Sequence, residues 1–522
     1  MSIHSKSSDP YRSLVEIGTA LSSNRDLDSL LETILLAAKD LSNADGGTLY
    51  LVDDQAQLNY KMLFTSSLNF AMGGTSGTPV NFPPIAMSNE GAVTAWCARE
   101  QKSVNIADVY EDNEFDFSGP RRFDAAQNYR TLSLLCIPLI NHRSETVAVL
   151  QLINAQDVET GQSVPFPVEI QELCEALASQ AAVAISNHQL IGQLEELFES
   201  LISLINTAID EKSPYTGGHC NRVPELALML ADSAAAAQFG PFTAFNPTKE
   251  ELYELRIASL LHDCGKVVTP VHVVDKGTKL ETIVDRIKVV DVRFEVLRRD
   301  LEIAHLKGQI SAEQLAQSLA ELDSDQLFLQ KSNIGMGGER MSTDDIERVK
   351  LIGARQWQPH GQEAQPFLTE NELQNLTIIA GTLTGEERDI INYHIVATIK
   401  MLEALPWPKH LRNVPEFAGG HHERMDGKGY PKGLTKDQMS LQARMLGLAD
   451  VFEALTAADR PYKSGKTLSE ALKIMGFMKR DNHIDPDLFQ IFIQDRLYLK
   501  YAEKFLNPNQ IDEVDEEALL KI

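Results

Sequence analysis

Residues 260–266 read LLHDCGK. His262 and Asp263 stand side by side at the end of an apolar helical run. A helix turns once in about 3.6 residues, so neighbours on it point about 100° apart. An adjacent pair therefore does not easily hold one ion from one direction, but it can reach two ions lying side by side. A second adjacent pair, His421 and His422, opens the stretch HHERMDGKGYPKG (421–433). A two-metal site, with ions about 3.5–4 Å apart, makes sense of both pairs, with Asp263 bridging.

Three further places from 210 onward carry ligand-type residues. YTGGH (215–219) ends in His219, EERDIINYH (386–394) ends in His394, and GLADVFEALTAADRPYK (447–463) embeds Asp450 in an apolar helix. A carboxylate there is costly to bury without a cation. Each piece alone is a weak signal. An HD dipeptide arises by chance, and paired histidines usually lie on a surface. From about 210 to the end the pattern is helical with few strand signals, which predicts an all-α domain.

In this order and setting the pieces resemble the HD-GYP family, a branch of the HD phosphohydrolases. His262, Asp263, Gly265 and Lys266 match HDxGK; Gly429, Tyr430 and Pro431 match GYP; and DRPYK (459–463) also matches. The resemblance spans about 205 to 500. It implies metal-assisted hydrolysis of cyclic di-GMP, to the linear dinucleotide pGpG and in some members on to GMP. The metal ligands it implies are His262, Asp263, His394, His421, His422 and Asp450, with His219 as an additional candidate. Asp263 and Lys266 are the implied catalytic residues. Lys266, Gly429, Tyr430, Arg460 and Lys463 are the implied substrate contacts, with the loop from Asp426 to Gly433 lining the cleft. Glycines at 427, 429 and 433 let backbone approach a ligand closely. Mixed imidazole and carboxylate donors suit iron or manganese, with nickel and zinc as further candidates. Two other readings stay open: the same chemistry on another cyclic dinucleotide such as cyclic GMP–AMP, and a scaffold that binds but no longer turns over.

One departure is Val271 after Pro270, where many relatives carry aspartate. A second concerns the number of metals, because some members hold a third ion on a glutamate four residues before the histidine equivalent to His219. Here that position is Tyr215. Asp210 and Glu211 come nine and eight residues earlier, and eight helical residues span about 12 Å. The expectation is two metals, with His219 either a peripheral ligand or a substrate contact, so that His219→Ala leaves both metals bound.

The N-terminal part reads differently. Residues 11–43 look helical, GGTLYLVDD (46–54) reads as a strand, and SLLCIPLI (133–140) and TVAVLQLIN (146–154) form a hairpin across NHRSE (141–145). Helix returns over 167–185. This α+β pattern, residues 10–185, resembles a GAF domain through the hairpin around Asn141 and the segment NIADVYEDNEFDF (105–117). Such sensor modules often bind a cyclic nucleotide, tetrapyrrole or other small molecule, though some only dimerise. No residue identifies a ligand here. Between the two, Ile191, Phe198 and Ile205 recur every seven residues, as do Leu194, Leu201 and Ala208. That seam predicts a coiled-coil-like linker helix, 186–210, in a parallel homodimer. The HD-GYP domain then runs over 211–505, interrupted by an insertion at about 281–382. The insertion carries charged helical runs and only two isolated histidines, His305 and His360.

Bulk properties agree. A net charge of −26 argues against nucleic acid or an anionic membrane surface as the main partner. An anionic substrate has to be met by local cations. Five scattered cysteines without a CxxC suit a reducing compartment. The absence of an apolar leader or of 18 consecutive apolar residues predicts a cytoplasmic protein.

Overall fold

The computed structural model describes residues 10–23, 26–212, 218–237, 239–335, 340–458 and 465–522. The chain divides into two compact units, Met1–Glu199 and Ser200–Ile522. The helix Val168–Lys212 contains the point of division. Among the described residues no helix is long and apolar enough to cross a membrane.

The first unit is built on one antiparallel sheet. Its strands are β1 (Ala44–Val52), β2 (Gln57–Thr65), β3 (Phe70–Gly73), β4 (Ile85–Ala86), β5 (Val104–Ile106), β6 (Leu134–Ile140), β7 (Thr146–Gln156) and β8 (Ser163–Val164). The order is β3-β2-β1-β7-β6-β5, with β4 on β2 and β8 on β7. The expected hairpin is β6–β7, in which Asn141 Oδ1 accepts from the backbone N–H groups of Arg143 and Glu145. Period-two alternation sorts side chains between the faces. Leu49 and Leu51 pack with Leu30, Ile34 and Leu35 of helix Leu27–Ser42 and with Cys174 and Leu177 of the long helix. Tyr50 joins Cys97, Val109, Cys136 and Val149 under the loops on the other face. The N-terminal helical stretch is two helices, Pro10–Ser23 and Leu27–Ser42. The second starts at Asp26, whose carboxylate accepts from Ser29 N, as an N-cap does.

The second unit is helical around the site. Helices His219–Ala236, Leu441–Thr456, Leu468–Arg480, Pro486–Gln494 and Leu497–Phe505 share one core, which includes Leu230, Phe452, Leu472, Phe492 and Tyr501. Helices Lys249–Leu261, Gly385–Glu403 and Val414–Gly419 complete the surround of the candidate site. Thr248 with Glu251, and Thr384 with Glu387, form capping boxes that fix where two of these helices begin. The insertion has a core of its own. Val290 and Phe294 of helix Ile287–Leu306 meet Leu322 and Leu329 of helix Ala312–Asn333, together with Phe367 and Leu376. Lys276 ties it back: its ammonium reaches Asn375 Oδ1 at 2.9 Å and Glu387 Oε2 at 2.7 Å.

Candidate metal centre

Helix Lys249–Leu261 delivers the first pair. His262 is its C-cap, and Asp263 leaves the helical path at φ −106°, ψ 9°. Because the pair sits where the helix stops, the 100° splay expected for helical neighbours does not apply. His219, His262 and Asp263 have ligand atoms within 4.8 Å of one another, and so do His394, His421 and His422. His421 and His422 thus fall within one group, whereas the pair His262–Asp263 reaches both through the carboxylate. His421 and His422 likewise follow a helix end, after Val414–Gly419, with ring centroids 4.1 Å apart.

Asp263 lies between the groups. Its Oδ1 is 3.3 Å from His394 Nε2, and its Oδ2 is 3.4 Å from His219 Nε2 and 3.5 Å from His262 Nε2. Asp450 adds Oδ1 at 3.3 Å from His219 Nε2 and 3.7 Å from His262 Nε2. His219 is therefore inside the first group rather than at the periphery. A new helix starts at His219 itself and points its ring at the HD pair.

The rings are aimed from behind. His262 Nδ1 meets the Ser259 carbonyl at 2.7 Å, His394 Nδ1 that of Ile391 at 2.5 Å, and His421 Nδ1 that of Ala418 at 2.6 Å. A ring that donates from Nδ1 keeps a lone pair on Nε2. The Nε2 atoms come together in pairs: His219 and His262 Nε2 are 3.2 Å apart, as are His394 and His422 Nε2. His421 Nε2 is buried without a hydrogen-bond partner. Converging ring nitrogens and a buried unpaired one suit a cation between them. Burial, followed by the neighbouring His422 and His262, holds His421 well below the usual histidine range. Burial likewise lowers His422 to about 4. Both rings are neutral near neutral pH, the form that ligates. Burial opposes charge on Asp263, yet Lys266 and His262 outweigh it and keep the carboxylate ionised. At Asp450, contacts with His219 and His262 outweigh burial in the same way.

The implied substrate contacts fall in three places. Lys266 pairs with Asp263 Oδ2. Tyr430 stacks on His422 with centroids 4.9 Å apart, and burial, followed by Asp450 and Asp263, pushes its phenol up to about 12, so it stays a donor. Gly429 is pressed against the backbone of Glu423 and Arg424, where a Cβ has no room. Gly427 and Gly433 have φ of 75° and 66°. These three glycines let the loop fold on itself, a need distinct from the close ligand approach expected of them. Arg460 and Lys463 lie outside the described residues.

Two further carboxylates were not singled out in the sequence. Glu423 is buried and accepts from Lys432 N at 2.7 Å and Leu434 N at 2.8 Å, which holds the loop closed. Glu453 contacts His219 Nδ1 and Arg222. Its sequence signal was its spacing, three residues after Asp450 and so on the same helix face.

Residues 24–186 match the family model of the GAF domain, and residues 316–488 match that of the HD domain. The second match takes in His394, His421, His422 and Asp450 and begins after His262 and Asp263. A cyclic di-GMP phosphodiesterase of Pseudomonas aeruginosa is 47% identical over 114 residues, 22% of this chain and 26% of that protein. The 3'3'-cGAMP-specific phosphodiesterase 1 of Vibrio cholerae is 42% identical over 81 residues, 16% of this chain and 19% of its own. The cyclic di-GMP phosphodiesterase response regulator RpfG of Xanthomonas campestris is 33% identical over 120 residues, 23% of this chain and 31% of its own. The chain thus spans less than a third of the length of these curated relatives. Among solved structures, the GAF domain of an Acinetobacter phosphoenolpyruvate-protein phosphotransferase is 15% identical, with 35% of this chain and 97% of that chain covered and a TM-score of 0.27. The chain thus joins a segment that matches the GAF domain to one that matches the HD domain, and parts of it are similar to proteins named as cyclic di-GMP and cGAMP phosphodiesterases.

Proposed function

We propose that the chain is a metal-dependent phosphodiesterase that hydrolyses a cyclic dinucleotide, cyclic di-GMP in the first instance. The observation that carries this reading is the pair of three-residue donor groups joined by the Asp263 carboxylate. His219, His262, Asp263 and Asp450 would hold one divalent cation, and Asp263, His394, His421 and His422 the other, with iron or manganese favoured by the donor set. Such cations supply Lewis-acid activation of water and of the phosphoryl group. The chain's own part is to orient these donors, to keep Lys266 beside Asp263, and to offer the Tyr430 hydroxyl as a donor to a phosphate oxygen. The local positive charge draws in a twice-negative substrate despite the acidic chain. The test is hydrolysis by protein purified anaerobically with added iron or manganese, against cyclic di-GMP, cyclic GMP–AMP and cyclic di-AMP, with products identified. Metal-loaded protein that leaves all three intact overturns the reading. A preference for cyclic GMP–AMP reassigns the substrate.

Two metals per chain are expected. Elemental analysis giving well below one, under those loading conditions, contradicts the assignment. Because His219 lies in the first donor group, His219→Ala is expected to lose one metal and keep the other.

The domains follow the same proposal: a GAF sensor at 10–185, a linker at 186–210 and an HD-GYP domain at 211–505 with the 281–382 insertion. The GAF domain regulates hydrolysis through a small-molecule ligand. The linker seam supports a homodimer. Leu194 is 64% exposed and Leu201 50%, with Ile191 and Ile205 exposed beside them. An apolar stripe on that spacing is the kind a second helix covers. Replacing Leu194 and Leu201 with glutamate is expected to give monomers by light scattering. A wild-type chain already monomeric at micromolar concentration refutes the dimer.

A further inference from the structure

We propose that Glu453 is a positioning residue for the metal centre, holding the His219 ring so that Nε2 faces the first donor group. This rests on the two-metal reading above. Glu453 is 1% exposed and sits three residues after Asp450 on helix Leu441–Thr456. Both of its oxygens are engaged. Oε2 contacts His219 Nδ1, and Oε1 accepts from Arg222 Nε at 2.8 Å and from the Arg222 Nη2 at 2.6 Å. Arg222 stands three residues after His219 on helix His219–Ala236. The contact therefore clamps together the two helices that bring His219 and Asp450 to the centre.

His219 is set apart from the other rings by this partner. His262, His394 and His421 each tether Nδ1 to a neutral carbonyl three residues back. His219 opens its helix and takes a carboxylate instead. A carboxylate behind an imidazole fixes the tautomer with the proton on Nδ1, orients the ring and makes Nε2 a better donor. Asp450 and Glu453 thus divide the work of one helix face: Asp450 points into the donor group, and Glu453 supports the ring across from it.

The test uses the full-length chain loaded with manganese and reads metal affinity by titration and elemental analysis beside the melting temperature. Glu453→Gln preserves shape and removes charge. It is expected to weaken one of the two metals about 10- to 100-fold and to leave the other and the melting temperature near wild type. Because Glu453 acts through His219, the double variant Glu453→Gln, His219→Ala should bind no more weakly than His219→Ala alone. A purely structural role would instead add its effect to that of His219→Ala. Wild-type affinity for both metals in Glu453→Gln, or full additivity in the double variant, overturns the proposal. Should Glu453→Gln fail to fold, Arg222→Gln leaves the carboxylate in place but unanchored. It is expected to weaken the same metal to a smaller degree, and wild-type affinity there is equally fatal. A wild-type chain that binds two metals and hydrolyses no cyclic dinucleotide removes the proposed activity and leaves this inference standing. A wild-type chain that binds no metal removes both.

Discussion

Replacing Asp263 with alanine is expected to abolish hydrolysis while the protein stays folded. Among the described residues, Asp263 is the one carboxylate whose two oxygens address different donor groups, Oδ1 toward His394 and Oδ2 toward His219 and His262. Without it, neither group keeps its full donor set and no carboxylate joins them. A catalytic metal contributes several kcal/mol of transition-state stabilisation, and about 1.4 kcal/mol is a factor of ten in rate. A loss of about a thousandfold or more follows from these two magnitudes. Removal also leaves the Lys266 ammonium, which pairs with Asp263, without its counterion. Breaking a fully buried pair costs about 3–5 kcal/mol; Lys266 is partly exposed, so the cost is smaller and a modestly lower melting temperature is expected. Asp263→Asn, which keeps the shape, should melt closer to wild type and be as inactive. The shared core of the second unit does not include Asp263, so unfolding is not expected. Turnover within tenfold of wild type in Asp263→Ala, with two metals still bound, would sink the assignment of this residue as the bridge.

The sequence made the donor residues legible because their chemistry is expensive out of place. A carboxylate in an apolar helix and two adjacent histidine-bearing pairs are each weak signals, and their order and helical setting together point to a cation. The β6–β7 hairpin was legible for a local reason, two β-rich runs across five turn-forming residues. What escaped were relations between distant segments. Glu453 is unremarkable until helix Leu441–Thr456 packs against helix His219–Ala236 and sets it behind His219. Gly429 looked like a gap left for a ligand, and only the fold of its own loop shows that Glu423 and Arg424 fill that space. The insertion read as charged helical runs, yet Val290, Phe294, Leu297 and Leu301 recur at intervals of four, three and four and face a core of their own. That stripe was present in the sequence but was outnumbered by its charged neighbours. Reasoning about adjacent residues on a helix does not describe His421 and His422, which share one donor group, because they follow a helix end, and helix ends are the least certain feature of any sequence pattern.

Gly265→Ala is expected to disable the centre without touching a donor. Gly265 lies two residues after Asp263, and its N–H donates to Thr398 Oγ1 at 2.9 Å. A Cβ here would fall on the backbone carbonyl of His394 and lie 2.5 Å from Thr398 N and 2.7 Å from Thr398 Oγ1. Two of these three atoms are backbone of helix Gly385–Glu403, so no side-chain rotation relieves the clash. Either that helix retreats or the segment Cys264–Val268 does. Both movements lengthen the 3.3 Å approach of Asp263 Oδ1 to His394 Nε2, the contact that joins the two donor groups. Overpacking of this kind costs about 1–3 kcal/mol, which marks the variant as folded but less stable. Its catalytic loss should be far larger than its stability loss, because a displacement of about 1 Å at a reacting centre can cost a hundredfold. Thr398→Ala separates the causes. It removes the hydroxyl but not the backbone atoms, so on its own it is expected to be mild, and combined with Gly265→Ala it should restore little. The check is melting temperature, metal content and cyclic di-GMP turnover for the three variants. A Gly265→Ala protein that melts and turns over like wild type, or one fully rescued by Thr398→Ala, would show that the helix carrying His394 is not held in place by this glycine.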